Sequence, residues 1–321
     1  MKNWLSKLVA LTATAALVSA CGGNDDPAPG NLAEVAQQQG FTALVAAATK
    51  ANLVTTLSAP TASLTVLAPT DAAFTTLATR LGFTSAVAMV EALPASALAS
   101  ILTYHVLPTR KAAAELIAGA ATQPTLYSFG GAPTSLALST SGGVRFGDAV
   151  LTQGTVTTAD VGASNGVIHV IDKVLIPPGV LTVVQMAQAN PATFSTLVGA
   201  VSSRGLVGAL SGAGPFTVFA PTNDAFAAIA STVAGLTGPQ LSTVLTYHVL
   251  TPQVLSSGIP FGTPVATLSG QNITITAGTA PTIARITDTT TAPKSIVAVD
   301  VRASNGVIHV LSGVLIPNLA N

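Results

Sequence analysis

The sequence predicts an α+β protein built from two tandem copies of one domain, and three observations carry that reading. Three motifs recur in the same order, roughly 150 residues apart. Each copy opens on apolar residues at helical spacing. Each closes on short β-branched segments parted by Gly, Pro and Asn. Helical segments first and strands later argue for an α+β domain. A chain of 321 residues is also the right length for two domains.

The first 20 residues have an export layout. Lys2 and Lys7 give a basic start, Leu8 to Val18 is an apolar run too short to span a bilayer, and Ser19 and Ala20 are small. Val18-Ser19-Ala20-Cys21 resembles the lipobox of bacterial lipoproteins. That resemblance implies a lipid on Cys21, cleavage before it and acylation of the new amino end. A plain signal peptide with an incidental Cys is the competing reading. Cys21 is the only Cys in the chain and stands at the one required position, which favours lipidation. Two or three acyl chains would anchor the protein stably. Gly22 follows the Cys rather than Asp, which in Gram-negative lipoproteins implies passage to the outer membrane. Loss of residues 1–20 leaves 10 basic and 12 acidic groups, a formal charge of −2. Residues 21–30 read as a polar, proline-containing tether.

The first copy is expected over residues 31–178 and the second over 179–317. Leu64–Phe74 (LTVLAPTDAAF) matches Phe216–Phe226 (FTVFAPTNDAF), 152 residues on. Ile101–Pro108 matches Val244–Thr251, and Ala163–Val170 recurs unchanged as Ala303–Val310. Offsets shrink from 152 to 143 to 140, so the first copy holds extra residues between motifs, where surface loops belong. Phe41 to Leu57 resembles Phe194 to Leu210 more weakly. The junction Ile176-Pro177-Pro178-Gly179 is short and stiff and restricts the orientations of the copies.

Within a copy, Leu32, Val35, Ala36, Leu44, Val45 and Ala48 share a helical face. Leu64–Leu67 and Phe216–Phe219 read as strands stopped by Pro69 and Pro221. Thr70 and Thr222 then stand where an N-cap belongs, ahead of helices through Phe74 and Phe226. Further helix leads to Tyr104-His105 and Tyr247-His248. In the second half, Val265–Leu268, Asn272–Thr276, Ile283–Thr287 and Ile296–Val299 read as strands. Asn165-Gly166 and Asn305-Gly306 mark tight turns before closing strands Val167–Ile171 and Val307–Leu311.

Together these residues resemble the fasciclin-like domain. The Pro-Thr-Asn/Asp-x-Ala-Phe motif falls on Pro69-Thr70-Asp71-Ala72-Ala73-Phe74 and on Pro221-Thr222-Asn223-Asp224-Ala225-Phe226. The Tyr-His pair falls on Tyr104-His105 and Tyr247-His248, and the closing motif on Asn165 to Leu175 and Asn305 to Leu315. The match covers nearly all of the chain beyond the leader. It implies a wedge of about seven strands with a cluster of helices, and a role in extracellular adhesion through proteins, glycans or matrix. In animal members the Tyr-His region is linked to integrin recognition, which carries over only as a host-facing contact.

Composition removes other classes. Charged residues are 7% of the chain against about 25% in an average soluble protein. No cluster of Lys and Arg exists to displace counterions, so no nucleic acid partner is expected. No calcium loop or phosphate loop is present. All four histidines, His105, His169, His248 and His309, lie in the repeated motifs among apolar neighbours. As metal ligands they lack a third partner, since no Cys remains for them, so they read as buried and hydrogen-bonded structural groups. Gly162-Ala163-Ser164-Asn165-Gly166 fits G-x-S-x-G, but a strand follows it where a nucleophile elbow needs a helix, and Arg302 replaces the first Gly in the second copy. No enzyme activity, cofactor or metal is expected. The leading expectation is an adhesion-type lipoprotein of the outer membrane or cell surface. A carrier of an apolar small molecule and a structural envelope protein are the alternatives.

Overall fold

The computed structural model describes residues 29–279, 283–290 and 292–319. The leader, Cys21 and the tether up to residue 28 lie outside the described residues. The first repeat runs α1 (Leu32–Gln38), α2 (Thr42–Lys50), α3 (Val54–Leu57), β1 (Leu64–Pro69), α4 (Asp71–Arg80), α5 (Ala86–Ala92), α6 (Ala95–Tyr104), β2 (Val106–Leu107), α7 (Ala113–Ala118), β3 (Thr122–Phe129), β4 (Ala132–Ser139), β5 (Arg145–Gly147), β6 (Gln153–Ala163) and β7 (Gly166–Ile171). The second runs α8 (Val183–Ala189), α9 (Pro191–Ser203), α10 (Val207–Leu210), β8 (Phe216–Pro221), α11 (Asn223–Ala227), α12 (Ala230–Ala234), α13 (Gly238–Tyr247), β9 (Val249–Leu250), a 3₁₀ turn, β10 (Pro264–Ala266), β11 (Asn272–Ala277), β12 (Ala284–Thr287), β13 (Lys294–Ala303) and β14 (Gly306–Leu311).

Each repeat folds into a seven-stranded sheet of mixed α+β type, in the order β2-β1-β7-β6-β5-β4-β3 and, equivalently, β9-β8-β14-β13-β12-β11-β10. β1 pairs parallel with β7, and β8 with β14; the other pairs are antiparallel. The apolar runs Leu64–Pro69 and Phe216–Pro221 owe their character to a place inside the sheet, between the edge strand and the parallel closing strand, where they are buried almost throughout. Helices pack on one side and open each copy in the same way. Asn31 caps α1 in a capping box with Glu34, and Thr182 caps α8 in a box with Gln185.

The closing motif works differently from the sequence-based expectation. Asn165-Gly166 is not the turn itself. Ala163 pairs with Gly166, so the two-residue hairpin loop is Ser164-Asn165, and Gly166 is already strand. Gly166 is not at positive φ. A Cβ there would stand 2.3 Å from Leu64 O, and one on Gly306 would stand 2.3 Å from Phe216 O. The glycine is required by close approach of the parallel neighbour strand. β13 also runs longer than Ile296–Val299. A bulge at Asp300, with φ of 58°, breaks the alternation that marks a strand in sequence, and Asp160 does the same in β6 with φ of 59°.

The helical layers of the two repeats share one continuous apolar core. α8 is buried around its circumference by Val183, Val184, Met186, Ala187 and Ala189. Arg80 Nη1 donates to Ala189 O at 3.1 Å, closing the C-terminus of α8 from the first repeat. Asn190, 2% exposed, donates from Nδ2 to Val150 O at 2.9 Å. Gly179 N donates to Arg302 O at 2.9 Å, and the Arg302 guanidinium lies 5.4 Å from the Phe129 ring centroid.

Candidate functional site

The repeated motif residues gather at three junctions in each domain. The first is Asn165, 3% exposed at the β6–β7 turn. Its Oδ1 accepts Leu32 N–H at 2.8 Å, and its Nδ2 donates to Leu57 O at 2.8 Å and Ala59 O at 3.0 Å. One amide therefore ties the start of α1 and the end of α3 to the sheet. Asn305 repeats this with Val183 N–H at 2.9 Å, Leu210 O at 2.9 Å and Gly212 O at 2.8 Å. Only an amide offers two N–H donors and a separate acceptor oxygen on one short side chain.

The second junction is the Tyr-His pair at the end of α6 and α13. His105 is 1% exposed. Its Nε2 accepts Leu175 N–H at 2.8 Å, so the proton sits on Nδ1, which donates to Ile101 O at 2.7 Å. His248 makes the same pair with Leu315 N–H at 2.9 Å and Val244 O at 2.8 Å. Burial lowers both imidazoles to about 4. The preceding tyrosines are buried; Tyr104 packs edge-on against Tyr127, and Tyr247 Oη donates to Asn272 O at 2.9 Å. Burial pushes both phenols upward.

The third junction surrounds the closing-strand histidines, which take the opposite tautomer. His169 Nδ1 accepts Asp160 N–H at 3.2 Å, so Nε2 donates to Lys111 O at 2.9 Å. His309 Nδ1 accepts Asp300 N–H at 3.4 Å, and Nε2 donates to Val254 O at 2.9 Å. The left-handed bulges at Asp160 and Asp300 aim those N–H groups at the rings. Burial again lowers His309.

The Pro-Thr motif caps more than its own helix. Thr70 Oγ1 accepts Ala73 N–H and Thr222 Oγ1 accepts Ala225 N–H, both at 3.2 Å. Asp71 reaches across to α2, accepting Ala43 N–H at 2.9 Å on Oδ1 and the Thr42 hydroxyl on Oδ2. Asn223 instead accepts Thr196 N–H at 2.9 Å and donates to Pro191 O at 3.1 Å and Ala192 O at 3.0 Å. α9 carries an extra first turn, so carbonyls face position 223 where only donors face position 71. Asp fits the one and Asn the other.

Sequence reading passed over three further pairs. Thr65 and Thr217, both fully buried, each donate to the loop after β2 or β9 and accept an N–H from it. Asp148 and Asp288 each accept the N–H of Ile176 or Ile316 near the end of their domain. Asp160 and Asp300 accept Ala113 N–H and Ser256 N–H. All three recur at the motif offsets, the signal that would have found them. Ser164 sits in a hairpin turn followed by β7, without the helix a nucleophile elbow uses. Among the described residues no group of three or more His, Cys, Asp or Glu is placed to hold a metal ion.

Comparison with known proteins gives these junctions a family. Residues 39–177 and 192–317 match the Fasciclin domain. The chain is 44% identical over 142 residues to Protein sll1483 of Synechocystis sp., covering 43% of this chain and 74% of that protein. It is 36% identical over 162 residues to pig transforming growth factor-beta-induced protein ig-h3 and 34% identical over 162 residues to human periostin. Each match covers 49% of this chain, but only 22% and 18% of those longer proteins. A solved FAS1 domain pair from the insect cell adhesion molecule fasciclin I aligns over 88% of this chain and 94% of its own, at 18% identity and a TM-score of 0.43. Fasciclin domains occur in adhesion proteins, and the resemblance of this chain supports an adhesion-type role. The chain belongs to the fasciclin domain family and carries two tandem copies of that domain.

Proposed function

We propose that this protein is a lipid-anchored, extracytoplasmic adhesion protein of the outer membrane or cell surface, whose paired domains bind a protein, glycan or matrix partner. One observation supports this most. The histidines, asparagines and capping residues that repeat most faithfully have their hydrogen-bonding groups turned inward on backbone. Partner selection therefore falls to the surfaces that differ between copies, where Ile117, Phe261 and Val297 are exposed.

The test uses the purified mature chain on arrays of extracellular proteins and glycans. Ile117→Asp, Phe261→Asp and Val297→Asp are compared with wild type at unchanged melting temperature. Retention of every interaction by all three variants would count against the surface reading. Anchoring is read separately: Cys21→Ala should lose lipid label and partition into the aqueous phase.

A further inference from the structure

The first domain contains a cavity that the second has filled. Between α1, α2, α3 and α6 lies a space of about 480 Å³. The equivalent place between α8, α9, α10 and α13 holds about 40 Å³. The difference is written in aligned residues. Ala48, which lines the space in the first domain, stands where the second has Val201. Leu57 is half-buried on α3, whereas its counterpart Leu210 is buried. The fold does not need the space, since its sister copy closes it.

The lining defines the ligand. Leu32, Leu44, Ala48, Val66, Leu102 and Val106 supply apolar walls. His105 is among the lining residues, but both its ring nitrogens are already engaged by backbone. The imidazole therefore has no free nitrogen for a buried head group; of the other polar lining residues, Asn31, Thr49 and Thr103 bond to backbone, and Gln37 and Thr56 are exposed. The mouth is edged by Val54 and Leu126, which are 38% and 39% exposed. No Lys or Arg lines the cavity, and its one charged residue is the acid Glu34. A free carboxylate would meet no counter-ion there. The volume lies within the range of small-molecule sites, and apolar cavities of this kind take apolar guests.

The place of the chain's beginning selects the guest. Asn31 and Leu32 line this cavity, and Cys21 stands only eight residues before Pro29. Eight residues reach up to about 26–29 Å when extended. An acyl chain on Cys21 would be ester- or amide-linked, hence uncharged, and held at high effective concentration by its tether. We propose that this cavity binds one uncharged acyl chain, the one carried by Cys21 of the same molecule. The proposal rests on the lipidation reading above. With one chain housed in the domain, the remaining acyl chains hold the bilayer.

The experiment measures binding of a fluorescent monoacylglycerol to two full-length proteins. One is the wild type reconstituted in nanodiscs, with Cys21 examined by mass spectrometry; the other is Cys21→Ala. Cys21→Ala should bind saturably, and lipid-bearing wild type at least tenfold more weakly because its site is filled. Adding Ala48→Leu, which fills the cavity, or Leu126→Glu, which charges its exposed rim, should weaken binding by Cys21→Ala at least tenfold at unchanged melting temperature. Absence of binding by Cys21→Ala overturns the site. Equal binding by lipid-bearing wild type shows that the site takes a diffusible acyl chain and overturns occupancy by Cys21. A wild type without lipid on Cys21 overturns that occupancy and the anchor reading together, and leaves binding by Cys21→Ala to decide the cavity.

Discussion

The imidazole of His105 and the backbone N–H of Leu175 meet at 2.8 Å across 70 residues of chain. That bond exists only while Nε2 is unprotonated. His248 and Leu315 repeat it in the second domain at 2.9 Å. Both rings are lowered from 6.5 to about 4, chiefly by burial. Below pH 6.5 the unfolded chain takes up protons that the folded chain refuses. Stability contributed by these rings is therefore complete above that pH and is lost as pH falls from 6.5 towards 4. Each ring accounts for roughly 3 kcal/mol over that window. Urea unfolding at pH 7.5, 5.5 and 4.5 should show the decline. The double variant His105→Gln/His248→Gln should be less stable at pH 7.5 but flatter with pH. A wild-type profile with no slope between pH 6.5 and 4.5 would contradict the assignment.

Asn165 holds three backbone groups from two other segments. Asn165→Asp keeps the acceptor for Leu32 N–H but turns a carboxylate towards the carbonyls of Leu57 and Ala59. Two donated bonds become two repulsive contacts in a buried place. The expected loss is about 2–4 kcal/mol, larger than for a surface Asn. Denaturant unfolding measures it, and hydrogen exchange should localise the loosening to α1 and α3.

The unequal surroundings of positions 71 and 223 predict unequal swaps. In Asp71→Asn the amide oxygen still accepts Ala43 N–H, and the Thr42 hydroxyl can turn to accept from the new NH₂. The cost should be about 1 kcal/mol, mostly the lost charge at the start of a helix. In Asn223→Asp two carbonyls, Pro191 O and Ala192 O, lose their donor and face a carboxylate. That cost should exceed 2 kcal/mol. Equal melting-temperature losses for the two variants would show that the extra turn of α9 is not what separates them.

What could be read from sequence alone follows from distance along the chain. The caps Thr70 and Thr222 and the helix faces are local, so composition and periodicity reveal them. β2 and β9 have two residues each, too few for any period, and they exist because β1 and β8 need a partner on their outer side. The parallel pairing of Leu64–Pro69 with Gly166–Ile171 joins segments a hundred residues apart, so Gly166 reads as a turn residue until its neighbour strand is in place. Asn165 shows the same limit: its type is visible, but its three partners come from two distant segments, the start of α1 and the end of α3. The aligned pair Ala48 and Val201 differs openly in sequence. That the difference leaves a cavity depends on everything packed around it.

The boundary between the domains turns on Gly179. Its φ is +77°, and a Cβ there would stand 2.1 Å from Phe129 Cε2. The same ring lies beneath the Arg302 guanidinium, and Gly179 N–H is donated to Arg302 O. Gly179→Ala therefore carries two separable penalties. The left-handed backbone costs about 1 kcal/mol, and the clash displaces Phe129 from Arg302. Phe129→Ala on the same background removes the clash but not the loss of the ring under Arg302, and leaves the backbone strain. The expected readout is faster hydrogen exchange in β3 and at Arg302–Ser304 for Gly179→Ala, with protection of β3 regained in the double variant while Arg302–Ser304 stays fast. Within the shared core α8 should stay protected, because its five buried apolar side chains and the Arg80 bond to Ala189 O do not pass through Gly179. Loss of α8 protection in Gly179→Ala would mean that the junction, rather than the common core, holds the two domains together.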